Sequence, residues 1–338
     1  MPMVQVMEIA RFGKDGLRRS ERALPAPGPG QVRIRMGAVS LNYRDLMMLL
    51  GLYNPRQPLP LIPCSDGAGT VEAVGEGVTT WRPGDRVMGA FAQDWLDGEV
   101  DGRCGRRTLG GPLDGMLAEA VILPETGLVR SPASLSDAEA ACLPCAGVTA
   151  WHALVAQGGI KSGDTVLVIG TGGVSLFALQ IACAHGARVI VVSRSEEKLT
   201  RAQSLGASAG VCSAAAPDWG KAVQALTDGR GVDDVVEVGG SGTLAQSIEA
   251  VRPGGRIAII GVLSGVSSQI DLRRVLMRSV RLQGLFVGSR RMLEDLSRAV
   301  DTTGLKPVID RTWPWHEAGA AFDYLASGKQ FGKVVLTW

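Results

Sequence analysis

The sequence predicts an α/β protein of two parts: a small, mostly β, barrel-like domain, and a doubly wound parallel sheet with helices on both faces. Three observations predict it. Glycine and proline interrupt the first third of the chain, leaving only short apolar runs between turns. After about residue 130 the texture changes, and apolar runs alternate with helix-like segments. Between the first such run and its helix stands a glycine turn, Gly170-Thr171-Gly172-Gly173.

Val32–Met36, Ala68–Val74 and Arg86–Ala90 read as strands, set between turn signals such as Pro27-Gly28-Pro29-Gly30 and Arg82-Pro83-Gly84-Asp85. Phe91–Gly115 is aperiodic and rich in Gly, Asp and Arg, and reads as a long surface loop. Val166–Ile169 is a fully apolar strand, and Val174–Ala184 is the helix behind the turn. Arg188–Val192 is a second strand, Glu196–Leu205 a second helix, and Val232–Val238 and Arg256–Val262 are two more strands. Strands that alternate with helices and read as continuous apolar runs point to a parallel sheet buried on both faces. Met292–Ala299 and His316–Trp338 read as a return to the first domain, giving expected boundaries of 1–128, 129–287 and 288–338.

The bulk properties exclude several classes. A net charge of +2 over 338 residues argues against nucleic acid as a partner. Apolar residues make up 46% and charged residues 20%, a globular balance. No run of about 20 uninterrupted apolar residues exists, so no membrane partner is expected. The first residues lack a signal-peptide core, and six cysteines are too few for a disulfide framework. The expected location is cytoplasmic, with reduced thiols.

The glycine turn carries the first functional signal. Gly170, Thr171, Gly172, Gly173 and Val174 join a strand to a helix, where bare backbone can approach a pyrophosphate and the helix N-terminus offers free N–H groups. Ser175 replaces the third glycine of G-x-G-x-x-G. The second strand ends Val192-Ser193-Arg194 with no acid at its tip. An acid there bonds a ribose 2′-hydroxyl, whereas Ser193 and Arg194 suit a 2′-phosphate. The expected cofactor is therefore NADPH. Lys198, Gly239, Gly261, Val262, Gly332 and Lys333 are further candidates to line it.

Several motifs in order resemble the medium-chain dehydrogenase/reductase superfamily, in particular its zinc-independent, quinone-oxidoreductase-like branch. They are Ser40-Leu-Asn42-Tyr-Arg-Asp45, Pro63-Cys-Ser65-Asp66-Gly67-Ala-Gly69, Pro83-Gly84-Asp85-Arg86-Val87, Leu143-Pro-Cys145-Ala-Gly147-Val-Thr149, the glycine turn and Phe331-Gly332-Lys333. The resemblance implies a GroES-like β-barrel catalytic domain, a Rossmann domain, a small-molecule substrate and a homodimer paired through sheet edges. Arg256–Leu263 followed by Ser264–Asp271 is the expected edge. In zinc-dependent members a Cys stands where Asn42 stands here, and a His-Glu pair where Ser65-Asp66 stand. Another Cys matches Cys145. One thiol cannot replace the roughly three protein ligands of a catalytic zinc, so no metal is expected. The loop that matches the structural zinc lobe has only Cys104.

Without a metal electrophile, reduction of an activated C=C bond is the easier chemistry. A hydride adds to the β-carbon, donors hold the enolate, and a side chain or water protonates the α-carbon. The resemblance makes Tyr53 the first choice for polarisation or proton delivery. It places Asn42 at the nicotinamide ribose or the substrate, and Thr149 beside the nicotinamide. Tyr43 and Trp95 are candidate substrate contacts, Trp95 as a lid. Carbonyl reduction and nucleotide binding without catalysis stay open. Cys142-Leu-Pro-Cys145 is read as a structural thiol pair, His185 as a helix C-terminal residue and His152 as packing.

Overall fold

The computed structural model describes residues 2–102 and 104–338, which divide into two compact units, Met1–Val148 with Gly288–Trp338, and Thr149–Val287. The first begins with a hairpin of β1 (Met3–Ile9) and β2 (Leu17–Ala23). It continues with β3 (Gln31–Leu41), helix α1 (Tyr43–Leu49), β4 (Asp66–Val74), β5 (Arg86–Gly89), β6 (Ala120–Pro124), β7 (Leu128–Arg130) and α2 (Asp137–Ala140). Helix α3 (Val148–Trp151) crosses into the second unit. There follow β8 (Thr165–Ile169), α4 (Gly173–Ala184), β9 (Arg188–Ser193), α5 (Glu196–Ser204), β10 (Ala209–Cys212) and α6 (Trp219–Ala225). Next come β11 (Val232–Glu237), α7 (Leu244–Ala250), β12 (Val251–Ile259), α8 (Leu272–Met277) and β13 (Arg281–Gly284). The chain returns through α9 (Arg290–Thr303), β14 (Ile309–Pro314), α10 (Ala318–Ala326) and β15 (Lys333–Thr337).

Strand β3 organises the first unit. Its early residues pair with β6, its late residues with β15, and almost its whole length with β4. Bulges at Arg33/Ile34 and Met36/Ala38 bend it, and such bends curl a sheet toward a barrel. A Cβ at Gly69 would lie 2.1 Å from the Arg35 carbonyl oxygen, so glycine is required opposite the bulge. Val32, Ile34 and Met36 alternate inward and join Ile9, Leu117, Phe322, Val334 and Leu336 in one core. The first unit runs on to Val148, past the boundary at 128 read from sequence, because α2 packs on β3 and β4.

The loop 91–115 differs from its expectation. Phe91, Gln93, Trp95, Cys104 and Leu109 are all buried, and Ala92 bridges to Thr108. Composition hid this, because its Gly and Asp residues turn the chain while its few large side chains fill the core.

The second unit is a parallel six-stranded sheet in the order β10-β9-β8-β11-β12-β13. Every residue of β8 and β11 is buried. The order reverses between β8 and β11, the place where such sheets open a ligand crevice beyond the strand ends. Strands β10 and β13 escaped the sequence reading. Strand β12 also begins earlier than Arg256, at Val251, because a bulge absorbs Pro253-Gly254-Gly255. The edge is therefore β13, and the expectation that 256–263 forms it is corrected, since β12 is paired on both sides.

Candidate functional site

In the nucleotide-binding unit, the chain leaves β8 through Gly170, whose φ of 77° favours glycine. Gly172 caps α4, and a Cβ built there meets nothing within 4 Å. The helix N-terminus is thus bare backbone facing open space, as a phosphate cradle requires. Ser175 Oγ donates to the Ile169 carbonyl at 2.7 Å, so the hydroxyl in the third glycine's place stitches the helix to the strand. Thr171 is buried in the turn.

Ser193 ends β9, and its Oγ accepts from Ser195 N–H at 3.4 Å. Arg194 is exposed beside it, and among the described residues its guanidinium has no partner. Lys198 lies in the first turn of α5, behind the Ser195 cap. Gly239 and Gly261 lie on two laced loops. Ser264 Oγ donates to the Gly239 carbonyl at 2.7 Å, and a Cβ at Gly261 would meet the Val238 carbonyl oxygen at 2.1 Å. Val262 is exposed on the second loop. Sequence reasoning missed the anchor of the first loop, Glu237. This fully buried carboxylate accepts from Gly239 N–H at 2.7 Å, Gly240 N–H at 3.1 Å, Thr243 Oγ1 at 2.5 Å and Ser247 Oγ. Its signal was an acid closing the strand just after Val235 and Val236 and just before a glycine pair. Thr149 is buried in α3. His152 Nδ1 lies 2.9 Å from the Val287 carbonyl, and burial pushes its pKa down, which favours the neutral ring. His185 caps the C-terminus of α4.

The catalytic unit gathers Asn42, Asp45, Ser65, Asp66, Cys145 and Lys333. Asn42 is the N-cap of α1, and the Asp45 carboxylate accepts its backbone N–H at 2.8 Å. Asp45 also accepts from Ser65 N–H at 3.3 Å, so it holds backbone. Burial pushes its carboxyl up to about 6. Ser65 Oγ donates to Asp66 at 2.8 Å and receives the Asn42 amide at 3.5 Å. Asp66 accepts from Cys145 N–H at 3.2 Å. Burial pushes its carboxyl up, against the pull of Lys333.

Lys333, expected at the cofactor, is buried at 3% exposure. Its ammonium donates to the Leu41 carbonyl at 2.8 Å and Asn42 Oδ1 at 2.6 Å, and lies 3.9 Å from Asp66. Gly332 precedes it at φ 93° against the Val308 carbonyl. The ligand positions of the zinc-dependent pattern therefore do converge, but as amide, hydroxyl, carboxylate and one thiol with an ammonium among them. Burial pushes the Cys145 thiol up, away from the thiolate a metal needs. Among the described residues no group of three or more His, Cys, Asp or Glu is arranged to hold a metal ion. This donor set does not fit zinc. Burial raises Cys142 as well, to about 11, so neither thiol is the low-pKa partner of a redox pair.

Tyr53 and Tyr43 are both close to half exposed. The Arg44 guanidinium lies 4.9 Å from the Tyr53 ring and 4.7 Å from the Phe91 ring, and donates to the carbonyls of Leu109 and Gly111 at 2.7 and 3.0 Å. The expectation for Trp95 is corrected. It is 2% exposed, its indole N–H donates to the Gly98 carbonyl at 3.1 Å, and it wedges the loop's interior rather than forming a lid.

Residues 28–133 match the alcohol dehydrogenase GroES-like domain, and residues 173–302 match the zinc-binding dehydrogenase domain. The chain belongs to the medium-chain dehydrogenase/reductase superfamily. It is 40% identical to a zinc-type alcohol dehydrogenase-like protein of Schizosaccharomyces pombe, over 97% of this chain and 96% of that one. It is 31% identical to the acryloyl-coenzyme A reductase of Metallosphaera sedula, over 97% and 98%. Among solved medium-chain structures, an NAD-dependent alcohol dehydrogenase superposes with a TM-score of 0.90 at 37% identity, covering 99% of both chains. A crotonyl-CoA carboxylase/reductase in complex with NADP superposes at 0.87 and 25% identity, over 99% of this chain and 95% of that one. Among the described residues no helix is long and apolar enough to cross a membrane.

Proposed function

We propose that the protein is an NADPH-dependent, zinc-independent cytoplasmic reductase of activated C=C bonds in enones, quinones or acrylate-like substrates. The observation that carries this reading is the catalytic unit's chemistry. Where zinc-dependent members place metal ligands, this chain has hydrogen-bond donors and a buried ammonium. Hydrogen-bond donors of this kind can hold the charge that develops on an enolate oxygen when hydride adds, without a metal. The likeness to an acryloyl-coenzyme A reductase supports the substrate class.

When bound, NADPH supplies the hydride. The turn from Gly170 to Val174 cradles its pyrophosphate, and Ser193 and Arg194 meet the 2′-phosphate. The Asn42 amide donates to the substrate oxygen or nicotinamide ribose, and Tyr53 holds the developing enolate or protonates the α-carbon. Thr149, Gly239, Gly261 and Val262 complete the nucleotide side, and Tyr43 the substrate side.

The active form in this reading is a homodimer joined along β13. That strand is an unpaired edge, and Val266, Leu272, Leu276 and Met277, in the segment that leads into it, are exposed, Val266 at 88%. The strand is short, Arg281–Gly284, with one charge on it, and pairing would cover its free backbone groups.

The test is NADPH consumption over a panel of enones, quinones, acrylates, aldehydes and secondary alcohols, with elemental analysis of the same preparation. Turnover of enones or quinones by metal-free protein is expected. Carbonyl turnover alone, or one zinc per chain lost together with activity, overturns the reading.

A further inference from the structure

Asn42 sits where its two amide ends have opposite uses, and the structure settles which end faces inward. An ammonium carries three donors and no acceptor, so only an oxygen can face it. Lys333 is buried and touches Asn42 at 2.6 Å. The amide oxygen must therefore be the atom turned toward Lys333, a decision made by chemistry where an amide's orientation is otherwise ambiguous. The Nδ2 end is left on the other side. It offers an N–H to Ser65 Oγ over a long 3.5 Å contact and also faces the Asp66 carboxylate, whose charge it favours by hydrogen bonding, so both amide hydrogens lie on the side away from Lys333. Ser65 is committed in turn, because its hydroxyl proton goes to Asp66 at 2.8 Å.

Lys333 is fixed independently. It follows Gly332 into β15, whose pairing with β3 brings it beside Leu41, the last residue of β3. The Leu41 carbonyl takes one donor at 2.8 Å, and Asp66, fully buried, supplies the countercharge at 3.9 Å. Asn42 is in turn held at the N-cap of α1 by Asp45. Two rigid elements thus clamp one amide.

We propose that Lys333 is a positioning residue which locks the Asn42 side chain oxygen-inward, so that Asn42 meets its ligand only as a hydrogen-bond donor and the site selects substrates with an acceptor oxygen at that place. This deepens the function proposed above and rests on Asn42 facing substrate or nicotinamide ribose. It gives Lys333 a role through Asn42 instead of through the nucleotide.

Two variants separate this lock from simple charge balance. Asn42→Asp keeps the shape and the bond to Lys333 but removes both amide hydrogens. With NADPH and but-3-en-2-one, kcat is expected to fall about 10²-fold, as for loss of one oxyanion donor, in protein whose far-UV circular dichroism matches the parent. Unchanged kcat overturns the proposal. In the second variant, Lys333→Met is combined with Asp66→Asn so that no buried charge is left alone. The fold should be retained, kcat should fall at least tenfold, and the ¹⁵N side-chain amide pair of Asn42, assigned by its loss in Asn42→Asp, should shift or broaden. An amide pair that stays in place overturns the lock. If the parent protein turns over nothing in the panel, the function proposed above fails, and the amide spectrum alone decides the lock.

Discussion

Tyr53 is held by its ring while its hydroxyl stays accessible: Arg44 stacks on the ring and is itself tied to the backbone at 109 and 111. Tyr53→Phe keeps that stack and removes only the hydroxyl. NADPH affinity should be unchanged, and enone turnover should fall about 10²–10⁴-fold if the hydroxyl is the general acid. A fall below tenfold assigns proton delivery to water. Arg194 offers a second test, because its guanidinium is exposed and has no partner among the described residues. Arg194→Ala should weaken NADPH by about 1.5–3 kcal/mol and NADH little, measured by fluorescence titration of both nucleotides. Equal affinity of the parent for both would refute the cofactor choice. As candidates, Asn42 and Tyr53 were legible in the sequence because they sit in short motifs. Their supports were not. Lys333 lies 291 residues from Asn42, and no local pattern reveals a partner at that separation. Trp95 misled for the converse reason, since a tryptophan in a Gly- and Asp-rich loop looks exposed until neighbouring segments close over it.

Among the elements, those with a strong period or an apolar run were readable. Strands β8, β9 and β11 and helices α4 and α5 lie where hydrophobicity places them. Strand β10, Ala209-Gly210-Val211-Cys212, is too short and too small-sided to stand out, and β13 is polar because it is an edge. The start of β12 was hidden by Pro253-Gly254-Gly255, which reads as a turn but is accommodated as a bulge. That region depends on Asp233. Its carboxylate accepts from Thr165 N–H at 2.8 Å, from Arg252 at 2.6 Å and from both ends of Arg230, linking β8, β11 and β12. Burial pushes this carboxyl up, but the hydrogen bonds from Arg230, Thr165 and Arg252 outweigh it and hold it well below the usual range. A carboxyl depressed in the folded state contributes stability that is fully present above its unfolded pKa of about 3.9 and is lost as pH falls toward the folded value. Asp233→Asn should therefore cost about 1.5–3 kcal/mol at neutral pH, and less as acid protonates the parent. Melting curves from pH 7 to pH 3 check this, and a cost that grows in acid would contradict it.

For the whole molecule, the two-domain plan was readable from texture alone, but the boundary at Val148 was not, because residues 129–148 belong to the first unit by packing and not by composition. Light scattering should give a mass near twice the 35.4 kDa chain, and Leu276→Glu with Met277→Glu should give the monomer mass while each chain stays folded. A parent that scatters as a monomer at micromolar concentration would refute the dimer. Hydride delivery to a C=C bond without a metal can be followed through the fate of one atom. Chelator-treated protein given NADPH deuterated at the transferred C4 position and but-3-en-2-one should yield butan-2-one with deuterium on the former β-carbon. Deuterium on a carbinol carbon, with the double bond intact, would contradict the account.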